Sequence, residues 1–173
     1  DFGYKTSTLG FSLGTSFEQY ENLFFSPELA IAFEDLETNS TASTNLKKQE
    51  GSYDDFYFNY GLNYDIRDSN YKPTSGYTSS FYQKLPVISN SGELSNTLVF
   101  TQYKRLSDQS DMVGKASIYL KTINSIKDED VRISKRAQVP YKRLRGFQRG
   151  KVGPMENSDY IGGNYVSTLN LST

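Results

Sequence analysis

The chain has 173 residues and a formal net charge of -1, with no Cys, His or Trp against 14 Tyr and 11 Phe. Near-neutral charge gives no electrostatic reason for a nucleic-acid partner, and the missing Cys and His remove disulfides, thiolate chemistry, Cys/His metal sites and any histidine-based triad. No run of about 18 apolar residues exists, so any crossing of a membrane has to be made by strands. Taken in chain order, two-residue alternation predicts a first strand over 6–19, with Leu9, Phe11, Leu13 and Phe17 outward. Tyr20-Glu21-Asn22 is a short turn, and 24–36 is a second strand with Leu29, Ile31 and Phe33 outward and Glu28 and Glu34 inward. Residues 37–54, rich in Ser, Thr, Asn and Lys, read as a long loop.

Alternation is cleanest over 54–67, where Phe56, Phe58, Tyr60, Leu62, Tyr64 and Ile66 share one face and Tyr57, Asn59, Gly61, Asn63, Asp65 and Arg67 the other. A turn follows at 68–76, carrying Pro73 and Gly76, then a strand over 76–85, a loop over 85–92 and a strand over 93–106. After a tight turn at 107–111, the strand 112–123 sets Met112, Gly114, Ala116, Ile118 and Leu120 against Val113, Lys115, Ser117, Tyr119 and Lys121. Two lysines in that second set require a wet face. A very long excursion, 124–161, precedes a last strand over 163–173, where Tyr165, Leu169 and Leu171 point outward.

The expected fold class is all-β, an antiparallel transmembrane β-barrel seen in part, because seven strands fall short of the roughly eight that the smallest such barrels use. Phe56, Phe58, Tyr60, Leu62, Tyr64, Ile118 and Leu120 are the expected lipid-facing residues, and Tyr20, Phe24, Phe25, Tyr53, Tyr77, Tyr103 and Tyr165 fit interfacial girdles. Residue 1 is Asp and no leader precedes it, so the chain is expected to begin inside a longer product. Periodicity alone leaves a soluble β-sandwich open, since its inward face would alternate as well.

Within the excursion stand Pro140-Tyr141-Lys142-Arg143-Leu144-Arg145-Gly146-Phe147, then Gly153-Pro154, then Ile161-Gly162-Gly163-Asn164. Together with Tyr64-Asp65-Ile66-Arg67-Asp68 leading into Lys72-Pro73-Thr74-Ser75-Gly76, this order resembles the BamA family. The resemblance implies that residues 1–173 are part of one C-terminal outer-membrane barrel domain, running from about strand six to about strand twelve of sixteen and including the loop 124–161. It implies a protein that folds and inserts β-barrel proteins into the bacterial outer membrane. Its partners would be unfolded outer-membrane clients, accessory assembly lipoproteins, and outer-membrane lipid and lipopolysaccharide. It also implies that Arg145 tethers the loop to the inner wall, with Gly146 as the sharp turn and Phe147 as an apolar plug.

The family commonly carries an acidic residue about where Ser172 stands here, so Arg145 is expected to find its carboxylate at Glu28, Glu34 or Asp55, or beyond Thr173. Lys135, Arg136, Lys142, Arg143, Arg149 and Lys151 read as a solvated basic loop, with lipopolysaccharide phosphates as a further possible contact. Asp54-Asp55 and Asp128-Glu129-Asp130 read as solvated loop charges, lacking a Gly-spaced calcium pattern. No catalytic residue, cofactor or metal is expected, and the protein is read as no enzyme. Two alternatives within the barrel reading are a two-partner secretion or translocation pore of the same superfamily, in which the loop motif usually ends in Arg-Gly-Tyr, and a passive porin.

Overall fold

A computed structural model describes residues 3–173 apart from 108, 110, 128, 157 and 158. Strand β1 (Tyr4–Gly14) is followed by the short β2 (Phe17–Tyr20), which continues its path after a break at Thr15-Ser16. The ladder then runs through β3 (Leu23–Thr38), β4 (Gly51–Asp65), β5 (Ser75–Ser89), β6 (Glu93–Arg105) and β7 (Val113–Ser125). A helical turn, α1 (Thr44–Lys47), lies between β3 and β4, and a two-stranded hairpin of β8 (Met155–Glu156) and β9 (Asp159–Tyr160) precedes β10 (Tyr165–Ser172). The order across the large sheet is β1-β3-β4-β5-β6-β7-β10, all antiparallel, so seven strand paths form one open, curved wall.

The sandwich alternative ends here. Beyond this wall, the other sheet among the described residues is the β8/β9 hairpin, so no second layer covers the apolar face. That outer face is continuous in register: Phe25 opposes Leu62, Leu62 opposes Phe81, Phe81 opposes Leu98, and Leu98 opposes Leu120. One row away, Phe100 opposes Ile118 and Ile118 opposes Leu169. Leu9, Phe11, Leu13, Ile31, Phe33 and Leu171 are likewise exposed. The wall is thus a transmembrane β-barrel in part, apolar on the convex side.

Opposite parity turns inward and is polar. Asn59 donates to Glu28 (2.7 Å), Thr101 and Ser117 share a hydrogen bond (2.9 Å), and the Lys84 ammonium stands 3.5 Å from the Tyr57 ring centre. Such groups are supportable where one face of each ribbon meets water or the loop instead of hydrocarbon.

Proline and glycine mark the local departures. Pro27 sits in β3, where its missing N–H faces the β1/β2 break, and its carbonyl still accepts from Thr15 N at 3.1 Å. The expected loop over 85–92 is corrected: β5 runs on to Ser89 and only 90–92 turn the chain. A bulge explains the misreading, because Tyr57 opposes Pro86 while Phe56 opposes Ile88, leaving Val87 as the extra residue. The extra residue shifts the parity and brings Ser89 inward, where its hydroxyl donates to Asp55 at 2.6 Å. Strand extension also shortens the first long loop to 39–50, with Ser43 capping α1 by accepting from Leu46 N at 3.2 Å.

Candidate functional site

Long excursions emerge where β3 meets β4 and where β7 meets β10, at one end of the wall, and the second of them folds back onto the inner face. Its base is the most buried part of the molecule. Val131 packs with Ile123, Ala137 and Val166, while Ile133 packs with Leu36, Ala42 and Leu46. Between these two apolar contacts lies Arg132, whose side chain is only 2% exposed.

Four adjacent strands contribute one charge each around it: Glu34 from β3, Asp55 from β4, Lys84 from β5 and Glu93 from β6. Arg132 Nη2 donates to Asp55 Oδ2 at 2.5 Å, and Arg132 Nε lies 3.4 Å from Glu93 Oε1. The guanidinium carbon is 4.1 Å from the Tyr53 ring centre, a cation over an aromatic face. Lys135 pairs with Glu34, and Gln49 Oε1 accepts from Ile133 N at 2.7 Å, joining the first loop to the second. Burial works against the charge on Arg132, yet the bond to Asp55 and the fields of Glu93 and Glu34 raise its pKa above the ordinary arginine value. Buried charges of this kind persist only when they are paired and hydrogen-bonded.

Further along, a 3₁₀ turn at Tyr141–Arg143 sets Arg143 against the wall. Its Nη1 donates to Ser117 Oγ at 3.1 Å, its guanidinium faces Tyr119 at 4.9 Å, and its carbonyl accepts from Asn170 Nδ2 at 2.7 Å. The return limb is pinned by Ala137 and Gly163, which exchange hydrogen bonds of 2.7 and 2.9 Å. Gly162 has φ +70, and a Cβ there would stand 2.9 Å from the Ala137 carbonyl oxygen, so the motif opening the last strand needs a glycine for backbone contact. Asn164 O accepts from Ile123 N at 2.8 Å.

Several sequence expectations change at this dock. Asp55 is a buried strand residue bound to Arg132, not a solvated loop charge. Lys135, Arg136 and Arg143 are engaged instead of solvated, Arg136 through Asp130 at 2.5 Å. Tyr53 and Tyr103 belong to the inner face, not to a girdle: Tyr53 lies under Arg132, and the Lys115 ammonium stands 5.7 Å from the Tyr103 ring centre. For Asp55, Tyr53, Lys135 and Arg143 the cause is the same: the loop returns to the wall and brings charge that groups on the strands answer. Asp128 lies outside the described residues.

Arg145, Gly146 and Phe147 stand at the exposed tip, with Phe147 62% accessible and open space where a Cβ on Gly146 would be. Of the carboxylates considered for Arg145, Glu34 is taken by Lys135, Asp55 by Arg132 and Glu28 by Asn59. Ser172 is exposed at the end of β10. The sequence reading missed Arg132 altogether. Its signal was the apolar pair Val131 and Ile133 enclosing a cation in an otherwise polar loop.

At the far end of the wall, the turn between β4 and β5 is set by Gly76, with φ +91, and by Asp68. The Asp68 carboxylate accepts from Thr74 Oγ1 (2.5 Å), Thr74 N (2.9 Å) and Ser75 N (3.2 Å), which holds its pKa down at about 2. Pro73, directly after Lys72, supplies the fixed φ within this turn.

A curved antiparallel wall, apolar outside and polar inside, with a long loop buried along its inner face, defines a β-barrel membrane protein. The Omp85 superfamily domain matches residues 2–172, and the chain belongs to the Omp85 superfamily. It is similar in fold to the crystal structure of BamA from Haemophilus ducreyi lacking POTRA domains 1-3, with a TM-score of 0.85 and 23% sequence identity. That likeness covers 97% of this chain and 37% of the other, so the chain spans little more than a third of that protein's length. No curated protein sequence matches the chain.

Proposed function

We propose that the chain is the mid-barrel part of a BamA-type assembly factor of the bacterial outer membrane, which folds and inserts other β-barrel proteins. The carrying observation is the long loop: it bears Leu144-Arg145-Gly146-Phe147, lies along the inner wall, and returns through the Gly162-Gly163-Asn164 clamp. In this reading the barrel is no enzyme. It offers strands and a locally disturbed bilayer to unfolded clients, works with accessory lipoproteins, and contacts lipid through Phe56, Phe58, Tyr60, Leu62, Tyr64, Ile118 and Leu120. Arg145 tethers the loop tip to inner-wall carboxylates other than the three already engaged, and Phe147 plugs beside it.

Two observations set the other barrel readings behind this one. A loop that buries Val131, Arg132 and Ile133 against the inner wall suits a filled lumen better than the open channel of a porin. Phe147, where secretion pores of the superfamily carry Tyr, favours assembly over secretion. The test is client folding by the full-length protein in vesicles, read as the gel shift between heated and unheated client. Arg145→Ala is expected to slow it at least tenfold with membrane insertion intact. Folding at the parental rate would overturn the tether, and no acceleration by the parent protein would overturn the assembly reading.

A further inference from the structure

We propose that Arg132 is a positioning residue for the long loop, a second anchor separate from the Arg145 tip, which fixes the loop's base on β4 and β6 and so sets where the tip is presented. The proposal rests on the reading above that the tip works inside the barrel. Arg132 reaches carboxylates on two different strands, Asp55 and Glu93, and stacks on a third inner-wall group, Tyr53. A planar fork of donors suits such a bridge, where a lysine would supply one point of charge. Apolar neighbours on either side, Val131 and Ile133, sink into separate clusters, so the guanidinium is held from both directions along the chain.

Past this point the character of the loop changes. Lys135 on Glu34, Ala137 on Gly163 and Arg143 on Ser117 continue the attachment. Beyond Arg143, Arg145, Phe147, Gln148 and Arg149 are exposed. Base and tip therefore have different fastenings. Burying an arginine against two carboxylates is costly unless the geometry is retained, so the base stays in place whether or not the tip is engaged. Presentation of the tip is then a property of this half of the wall.

Trypsin tests this on the full-length protein in its membrane, because lysines and arginines stand both along the base, at 132, 135 and 136, and in the tip, at 145, 149 and 151. Cleavage of the folded chain is expected first after Lys142, Arg145, Arg149 or Lys151, and the bonds after Lys135 and Arg136 are expected to be spared. Arg132→Met should speed cleavage after Lys135 and Arg136 at least tenfold and lower the temperature at which the compact gel form is lost. Arg145→Ala should leave the base as protected as in the parent. Should Arg132→Met fail to fold, Arg132→Met with Asp55→Asn and Glu93→Gln removes the stranded carboxylates. That triple variant should fold and still release the base about fivefold faster than the parent. Parental protection of the base in both Arg132 variants would overturn the anchor, and release by Arg145→Ala alone would overturn the division into base and tip. Client folding measured in parallel separates the two readings: a released base with parental client folding keeps the anchor and counts against the tip's role in assembly.

Discussion

Leu98 offers a direct test of which face of the wall meets hydrocarbon. It lies on the outer parity of β6, opposite Phe81 on one side and Leu120 on the other, within the apolar band. Replacing it with arginine puts a charge into lipid at a cost of about 2–4 kcal/mol near the midplane of a membrane barrel. That corresponds to a fall of roughly 30- to 700-fold in the folded-to-unfolded ratio. Thr97, the preceding residue, faces inward directly opposite Lys121, so Thr97→Glu adds a charge beside its complement on a wet face and should cost less than about 1 kcal/mol. Urea titration of the full-length protein in lipid, followed by the gel shift of the folded form, measures both. The reasoning is refuted if Leu98→Arg unfolds at the parental urea concentration, or if Thr97→Glu is as damaging as Leu98→Arg.

Two further outcomes concern the turn between β4 and β5. Gly76→Ala forces a side chain into a left-handed backbone, with the new Cβ 2.2 Å from the Ile66 carbonyl oxygen and 2.8 Å from Arg67 Cα. Backbone atoms cannot step aside, so a loss of at least about 1–2 kcal/mol is expected in the same urea titration, and a parental midpoint would contradict it. Asp68 has its folded pKa depressed from 3.8 to about 2, chiefly by the hydroxyl and amide of Thr74. Its stabilising contribution is thus complete above the unfolded value and fades as pH falls through about 2. Asp68→Asn should flatten the acid limb of a heat-stability profile between about pH 4 and pH 2, and an unchanged limb would remove Asp68 from the account.

Much of the wall was legible because a strand's two-residue period is a local property. Phe56 to Tyr64 declare their face within nine residues, and the lysines at 115 and 121 declare the opposite one for β7. The resemblance carried by Arg145-Gly146-Phe147 and Gly162-Gly163-Asn164 pointed to the superfamily that the comparisons establish. Where alternation is interrupted the reading failed, as at Pro86, because a bulge moves every following side chain to the other face and leaves no mark beyond the proline itself.

By itself, then, the sequence determined a barrel wall, its two faces, and a basic loop bearing a recognisable tip. Only the tertiary structure decided which cation holds that loop. Between Val131 and Pro154 there are eight lysines and arginines with no acidic residue among them; Asp130, just before this stretch, pairs with Arg136, while the carboxylates that hold Arg132 and Lys135 lie on β3, β4 and β6. Arg132 and Asp55 are 77 residues apart in the chain. Their pairing depends on how the wall curves and where the loop re-enters it, and neither is encoded in the local pattern around either residue.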